Sequence, residues 1–231
     1  QFQNFQEKNQ KPFELIGLNI EPYKPLESQD EIQQEEEAID EEITTTQNQT
    51  DAAFSHLHLH SQYSVLQATP NIDKLVEKAV DEKMSAVAIT DHNNMFSAFK
   101  FTNAVLNHPI NEGWNESGEI KLKPIIGCEL NVCKNHQDKS VQNNGAQIPF
   151  LAKNKNGYHN LAKLSSLAYI EGFYYLPRVD KDLILKYKED LIALTGSLYG
   201  AIPNLILNVG EKQAEEEFKW WKETFGDDFY V

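Results

Sequence analysis

The sequence is poor in cysteine and in long apolar runs, and both shortages exclude classes of protein. Its 231 residues include two cysteines, Cys128 and Cys133, too few for the disulfide frameworks of small secreted domains. Five positions apart, they face opposite ways in an extended segment, which predicts buried, reduced thiols. The sequence shows no signal-peptide pattern and no apolar run that could span a bilayer. We therefore expect a cytoplasmic protein without a membrane partner.

Basic side chains are also scarce, with 21 Lys and Arg against 35 Asp and Glu and a formal charge of −14. No segment has the basic footprint of a surface that grips phosphate backbones, so we expect any DNA contact to be made elsewhere in a longer protein. The acidic excess is concentrated in residues 26–51, where about ten acidic and no basic side chains occur. That composition buries too little apolar surface to offset ordering, which predicts an acidic disordered linker over residues 26–52.

The rest of the chain suggests two further parts. Residues 1–25 are polar with one apolar patch, which indicates a connector from a preceding unit or a docking segment. From residue 54 onward, strand-like and helix-like segments alternate. Predicted strands after the first cover residues 85–90, 122–132, 148–152 and 191–195, and predicted helices begin near residues 72, 95, 158 and 212. This alternation predicts an α/β fold with a parallel sheet, open or closed into a barrel.

Three histidines at alternate positions mark the first predicted strand. In a strand, His56, His58 and His60 would share one face, and Leu57 and Leu59 would face the other way. Neutral imidazole is a ligand for zinc, manganese and iron, so the spacing predicts a metal site at a strand end. The alternative is a surface histidine stripe or a tag remnant, although an internal run interleaved with leucines is unlike a tag.

Other ligand types follow the next two predicted strands. Asp91 and His92 come directly after the second strand, and Glu129 lies in the third. In sheets of parallel strands the chemistry sits at the carboxyl ends, so these side chains and His60 are expected to converge. Taken singly, His92 could be a turn residue and Glu129 a rim charge. Together they predict a metal-binding cup.

These motifs resemble the polymerase-and-histidinol-phosphatase (PHP) domain. The segments His58-Leu-His60, Ala88-Ile-Thr-Asp-His92 and Pro124-Ile-Ile-Gly-Cys-Glu129 are similar to its opening motifs. Later segments, Glu171-Gly-Phe-Tyr-Tyr175, Pro177-Arg-Val-Asp180 and Leu191-Ile-Ala-Leu-Thr-Gly-Ser-Leu-Tyr-Gly200, are similar to the PHP domain of bacterial DNA polymerase III alpha subunits. The resemblance covers residues 54–231. A weaker one, over residues 5–18, is to the connector that follows a proofreading exonuclease domain in some alpha subunits.

The resemblance implies a fold, a context and partners. The fold would be a distorted (β/α)7 barrel over residues 53–231 with its C-terminal part missing, preceded by the acidic linker and by a connector over residues 1–25. The context would be DNA replication by a DNA-directed DNA polymerase that uses Mg²⁺. The partners would be the remainder of the polymerase chain and other replisome subunits, with DNA bound through the parent protein.

The resemblance also implies site residues. His58, His60, His92 and Glu129 match metal ligands of the family, whereas no catalytic residue can be assigned. His56 and Asp91 are neighbours that could orient those ligands or serve as scaffold. Arg178 is expected to pair with Asp180, and the alternative is contact with a phosphate.

Three positions depart from members with a full site. Gln67 stands where they carry Asp, Gln147 where they carry His, and Ser197 where they carry Cys. Neutral amides and hydroxyls bind divalent ions poorly, so we expect zinc or manganese to bind weakly or partially. This favours a structural and interaction module with a degenerate metal site. The alternatives are an active metal-dependent phosphoesterase or 3′–5′ exonuclease, and a stand-alone histidinol-phosphatase-type enzyme.

Overall fold

The computed structural model describes residues 54–231, so the predicted connector and acidic linker lie outside the described residues. Within this range there are six strands: β1 Ala86–Ile89, β2 Lys123–Cys133, β3 Ala146–Ala152, β4 Arg178–Asp180, β5 Leu191–Leu194 and β6 Phe229–Tyr230. The α-helices are α1 Ile72–Asp81, α2 Ala98–Leu106, α3 Trp114–Ser117, α4 Lys155–Ile170, α5 Lys181–Tyr187, α6 Ala201–Asn208 and α7 Glu211–Phe225. The α/β class is therefore confirmed.

The sheet is mixed, and the prediction of a parallel sheet is wrong. Its order is β1-β2-β3-β5-β6, and β4 pairs with the carboxyl end of β2. Strand β3 runs antiparallel to both β2 and β5, whereas the pairs β1–β2, β2–β4 and β5–β6 are parallel. The reason is the connection after β2: residues 134–145 contain no helix, and a short connection without a crossover returns the chain antiparallel.

The histidine segment is also not the regular strand that the alternation predicts. Backbone bonds join it to β1, because Ala88 N donates to His56 O and Thr90 N donates to Leu59 O. Three residues on the histidine side thus span two on the β1 side, and the chain bends at Leu57–His58. An extra residue of this kind reverses the strict alternation of side chains. The segment is extended and attached to β1, but its three histidines do not share one face.

Two apolar cores hold these elements in place. One lies between β1, α1 and α2 and includes Ile72, Val76, Ile89 and Phe101. Helix α1 begins as predicted, since the Asn71 side chain accepts from Asp73 N. The larger core covers the other strands and is filled by β2, β3, α4 and α7 residues, including Phe150, Leu164 and Trp221.

The two cysteines are free and buried, as predicted. Burial raises the pKa of Cys128 well above its usual value, so its thiol stays protonated. None of the helices among residues 54–231 is long and apolar enough to cross a membrane.

Candidate metal centre

The centre of the site is Glu129, a buried carboxylate in the middle of β2. It is 1% exposed, and its oxygens lie 2.8 Å from His58 Nε2, 2.7 Å from His92 Nδ1 and 3.4 Å from His60 Nε2. Burial alone would raise the pKa of Glu129, but the hydrogen bonds with His58 and His92 and the nearby His60 ring outweigh it and hold the pKa well below its usual range. These four residues are called the cup below.

Thr90 positions His58 and His60 beside Glu129. Its side-chain oxygen accepts from Leu59 N at 2.8 Å, and its backbone N donates to Leu59 O. The residue between the two histidines is therefore fixed on both of its backbone groups. The rings of His58 and His60 then lie 5.3 Å apart, edge to face, and both reach the same carboxylate.

His92 reaches Glu129 from the end of β1. It forms an isolated parallel bridge with Glu129, and Glu129 N donates to Asp91 O. Strand β2 pairs with β1 before this point and with β4 after it, so the cup lies where the neighbour of β2 changes. The structure thus brings His58, His60, His92 and Glu129 together, as the resemblance implied.

The residues present fit a metal ion. His58, His60 and Glu129 each offer a ligand atom within 4.8 Å of the others, and His60 Nε2 is buried without a hydrogen-bond partner. Two imidazoles and a carboxylate are donors that suit zinc or manganese. His92 is not a member of this group of three, although it contacts the same carboxylate.

The two predicted neighbours have different places. His56 is exposed and lies outside the cup. Its ring makes a T-shaped contact with the ring of Phe54, with the two centroids 4.8 Å apart. Asp91 is buried and accepts hydrogen bonds from Ser61 and Ser64, in the turn after His60. Asp91 is thus placed to orient the ligand segments, and His56 is not.

The three departing residues lie in different surroundings, and one further amide lies beside the cup. Gln67 and Ser197 are exposed, and Gln147 is the cross-strand partner of Asn131. Asn131 is two positions beyond Glu129, and its Nδ2 lies 3.5 Å from His92 Nε2. Sequence reasoning missed Asn131, although its spacing from Glu129 on a strand could have indicated it.

Arg178 does not pair with Asp180, so that prediction is wrong. The guanidinium is buried and donates to four carbonyls, those of Gly172, Asn143, His136 and Asp138. Asp180 instead accepts from the ring and backbone of His136 and caps α5 through Leu183 N. With its nitrogens engaged in this way, Arg178 ties loops together, and the arrangement gives no support to a phosphate contact.

The part of the chain that carries the sheet, the histidine segment and the cup matches one protein family. A model of the PHP domain matches residues 56–231, and the chain therefore belongs to the PHP domain family.

Curated relatives that are about 40% identical to this chain are named DNA polymerase III subunit alpha. The protein of Borreliella burgdorferi is 41% identical over 182 residues, covering 77% of this chain and 15% of its own length. That of Aquifex aeolicus is 41% identical over 188 residues with the same coverage. That of Chlamydia trachomatis is 40% identical over 178 residues, covering 75% of this chain and 13% of its own. The chain thus spans about one seventh of the length of these relatives.

A solved structure from Bifidobacterium adolescentis, proposed to be a metal-dependent phosphoesterase, is also similar. It is 20% identical, has a TM-score of 0.32, and covers 49% of this chain and 32% of its own. A likeness of that size supports no functional argument.

Proposed function

We propose that this chain is the PHP-domain segment of a DNA polymerase III alpha subunit, and that it serves there as a structural and interaction module with a degenerate metal site. The observation that supports this most directly is the polar lining around the cup. Asn131 lies on the face of β2 that carries Glu129, with its Nδ2 3.5 Å from His92 Nε2, and Gln147 is its cross-strand partner. Ligands for a second ion are thus replaced by neutral groups.

A single ion would be held by His58, His60 and Glu129, with His92 against the same carboxylate. When bound, zinc or manganese acts as a Lewis acid and lowers the pKa of a bound water. The protein contributes orientation: Thr90 fixes the histidine pair, and β2 fixes Glu129. Two-metal hydrolysis needs a second ion about 3.5–4 Å from the first, and one such group of three ligands occurs among residues 54–231.

The larger context is part of the same proposal. In a full alpha subunit, residues 1–25 would connect an exonuclease-like domain, residues 26–52 would be an acidic linker, and residues 53–231 would belong to a distorted (β/α)7 barrel. The remainder of the polymerase chain and other replisome subunits would be the partners, in the cytoplasm. DNA and the Mg²⁺ of nucleotidyl transfer would be bound by the parent protein. A net charge of −14 supports assigning DNA contact to other parts of that protein.

Hydrolysis assays test the proposal against an active phosphoesterase or 3′–5′ exonuclease. The chain is incubated with Mn²⁺ or Zn²⁺ and either bis-p-nitrophenyl phosphate or a 5′-labelled single-stranded oligonucleotide. We expect no hydrolysis above that of the Glu129→Gln variant, which retains the shape of the side chain and loses its charge. Metal-dependent hydrolysis that disappears in Glu129→Gln would contradict the proposal.

A gain-of-function variant sharpens the same test. Restoring the three ligand types with Gln67→Asp, Gln147→His and Ser197→Cys should increase the number of bound ions if these positions belong to the degenerate site. A triple variant that binds no more metal than the natural chain would show that the losses do not explain the degeneracy.

A further inference from the structure

The turn that follows His60 is fastened to Asp91 by a set of buried hydrogen bonds. Asp91 is 1% exposed, and its carboxylate accepts from Ser61 N at 2.7 Å, from Ser61 Oγ at 2.8 Å and from Ser64 Oγ at 2.7 Å. All of these donors belong to one short turn. A buried carboxylate with several donors is strongly held in one orientation.

Ser64 connects this turn to the backbone of His92. Its hydroxyl donates to Asp91 and accepts from His92 N at 3.0 Å. Ser64 is 2% exposed, so water cannot replace either partner without rearrangement. A hydroxyl with one donor bond and one acceptor bond committed in this way acts as a spacer of fixed length.

The spacer joins two segments that carry members of the cup. On one side is the turn after His60, and on the other is the amide of His92, whose Nδ1 lies 2.7 Å from Glu129 Oε2. Removing the hydroxyl would leave His92 N buried without this acceptor, which is costly. The peptide of His92 would then move, and its ring would move with it.

We propose that Ser64 is a positioning residue of the metal centre, which fixes His92 against Glu129 so that the cup is formed before an ion arrives. The inference deepens the metal site of the proposed function and rests on it for its consequence in metal binding. Groups that orient metal ligands typically change metal affinity by about 10- to 100-fold when they are removed. The geometry itself, however, is a property of the metal-free chain.

The first measurement is therefore made without metal. The full 231-residue chain is labelled with ¹⁵N-histidine, and the ring nitrogens of His92 are assigned by their loss in a His92→Gln variant. We expect Ser64→Ala to change the His92 ring shifts and its ratio of Nδ1–H to Nε2–H tautomers. Ser64→Thr, which keeps the hydroxyl, should restore the natural signals.

A matched control comes from helix α4. Ser166 is exposed and its hydroxyl donates to Ala162 O in the same helix, so Ser166→Ala removes a serine hydroxyl away from the cup and should leave the His92 ring unchanged. If Ser64→Ala does not fold, Ser64→Cys replaces it. The thiol has a similar shape but bonds weakly, and the same change at His92 is expected.

The second measurement is Zn²⁺ affinity, by competition with a chromophoric chelator. We expect Ser64→Ala to bind Zn²⁺ about 10- to 100-fold more weakly than the natural chain, with recovery in Ser64→Thr. A folded Ser64→Ala or Ser64→Cys variant with natural His92 signals overturns the proposal, whatever its affinity. Natural chain that binds no Zn²⁺ overturns the metal site of the proposed function, while the His92 signals still decide the role of Ser64.

Discussion

Arg178, the one arginine of the chain, should act mainly by stabilising the folded state. It is 1% exposed and ties the β2–β3 connection to the turn before β4 through four carbonyls. A hydrogen bond to a charged group contributes about 1.5–3 kcal/mol. The four do not add, because Asn143 and Asp138 lie on an exposed loop where water can reach their carbonyls.

We therefore expect Arg178→Met to lower the free energy of unfolding by about 3–6 kcal/mol, from the two hydrogen bonds to the buried Gly172 and His136 at about 1.5–3 kcal/mol each. Methionine fills much of the space of the arginine stem without offering a donor. Urea denaturation measures the loss, and amide hydrogen exchange should become faster within residues 134–145. The free energy of unfolding of Arg178→Lys should lie between those of the natural chain and Arg178→Met, because an ammonium cannot reach four carbonyls at once.

Lys188→Met provides the matched control. Lys188 is half-buried and its Nζ donates to a single carbonyl, that of Thr224, so its replacement should cost about 1.5 kcal/mol, the lower end for one hydrogen bond to a charged group. If the free energy of unfolding of Arg178→Met lies within about 0.5 kcal/mol of that of the natural chain, as for an ordinary surface substitution, the loop-tying role is refuted.

Three further predictions concern stability. Burial would raise the pKa of Asp180, but hydrogen bonds from His136 and Leu183 N lower it overall. A carboxyl whose pKa is depressed in the folded state stabilises the fold above its ordinary pKa and loses that contribution as pH falls. The urea midpoints of Asp180→Asn and the natural chain should therefore converge below about pH 4. Parallel midpoints down to acid pH would contradict this. A Cβ on Gly157 would lie 2.1 Å from Asp190 O, so Gly157→Ala should destabilise by about 1–3 kcal/mol in thermal melts, and an unchanged melt would refute the close approach. Trp221 is 1% exposed in the larger core, so Trp221→Ala should lower the free energy of unfolding by about 3–5 kcal/mol. A loss below about 1 kcal/mol would mean that the core is loosely packed there.

Much of the fold could be predicted because local signals agree with it. Apolar runs predicted β1, β2, β3 and β5 near their observed positions, and the Asn71 cap predicted the start of α1. Strand β4 was missed because it has three residues, too few for any period to show. The direction of β3 was missed because a connection without a helix looks like any other polar loop in a sequence.

The site shows where sequence reasoning stops. Histidines, an aspartate and a glutamate could be recognised as ligand types, their convergence was expected from their places at strand ends, and the resemblance supplied the set of ligands. The bend at Leu57–His58, which excludes His56 from the cup, depends on pairing with β1 and has no local signal. Ser64 and Asn131 were missed because serine and asparagine are common in turns and on strands, and their roles appear only with the contacts.

Metal content measures the central claim most directly. The natural chain and a His58→Ala, His60→Ala double variant are loaded with Zn²⁺ or Mn²⁺, dialysed exhaustively and analysed by mass spectrometry. The account predicts no more than one ion per natural chain, weakly held, and none in the double variant. Two or more ions that survive dialysis of the natural chain would contradict the degenerate site and favour a metal-dependent phosphoesterase. Metal that is present in equal amounts in both proteins would remove the cup as the binding site.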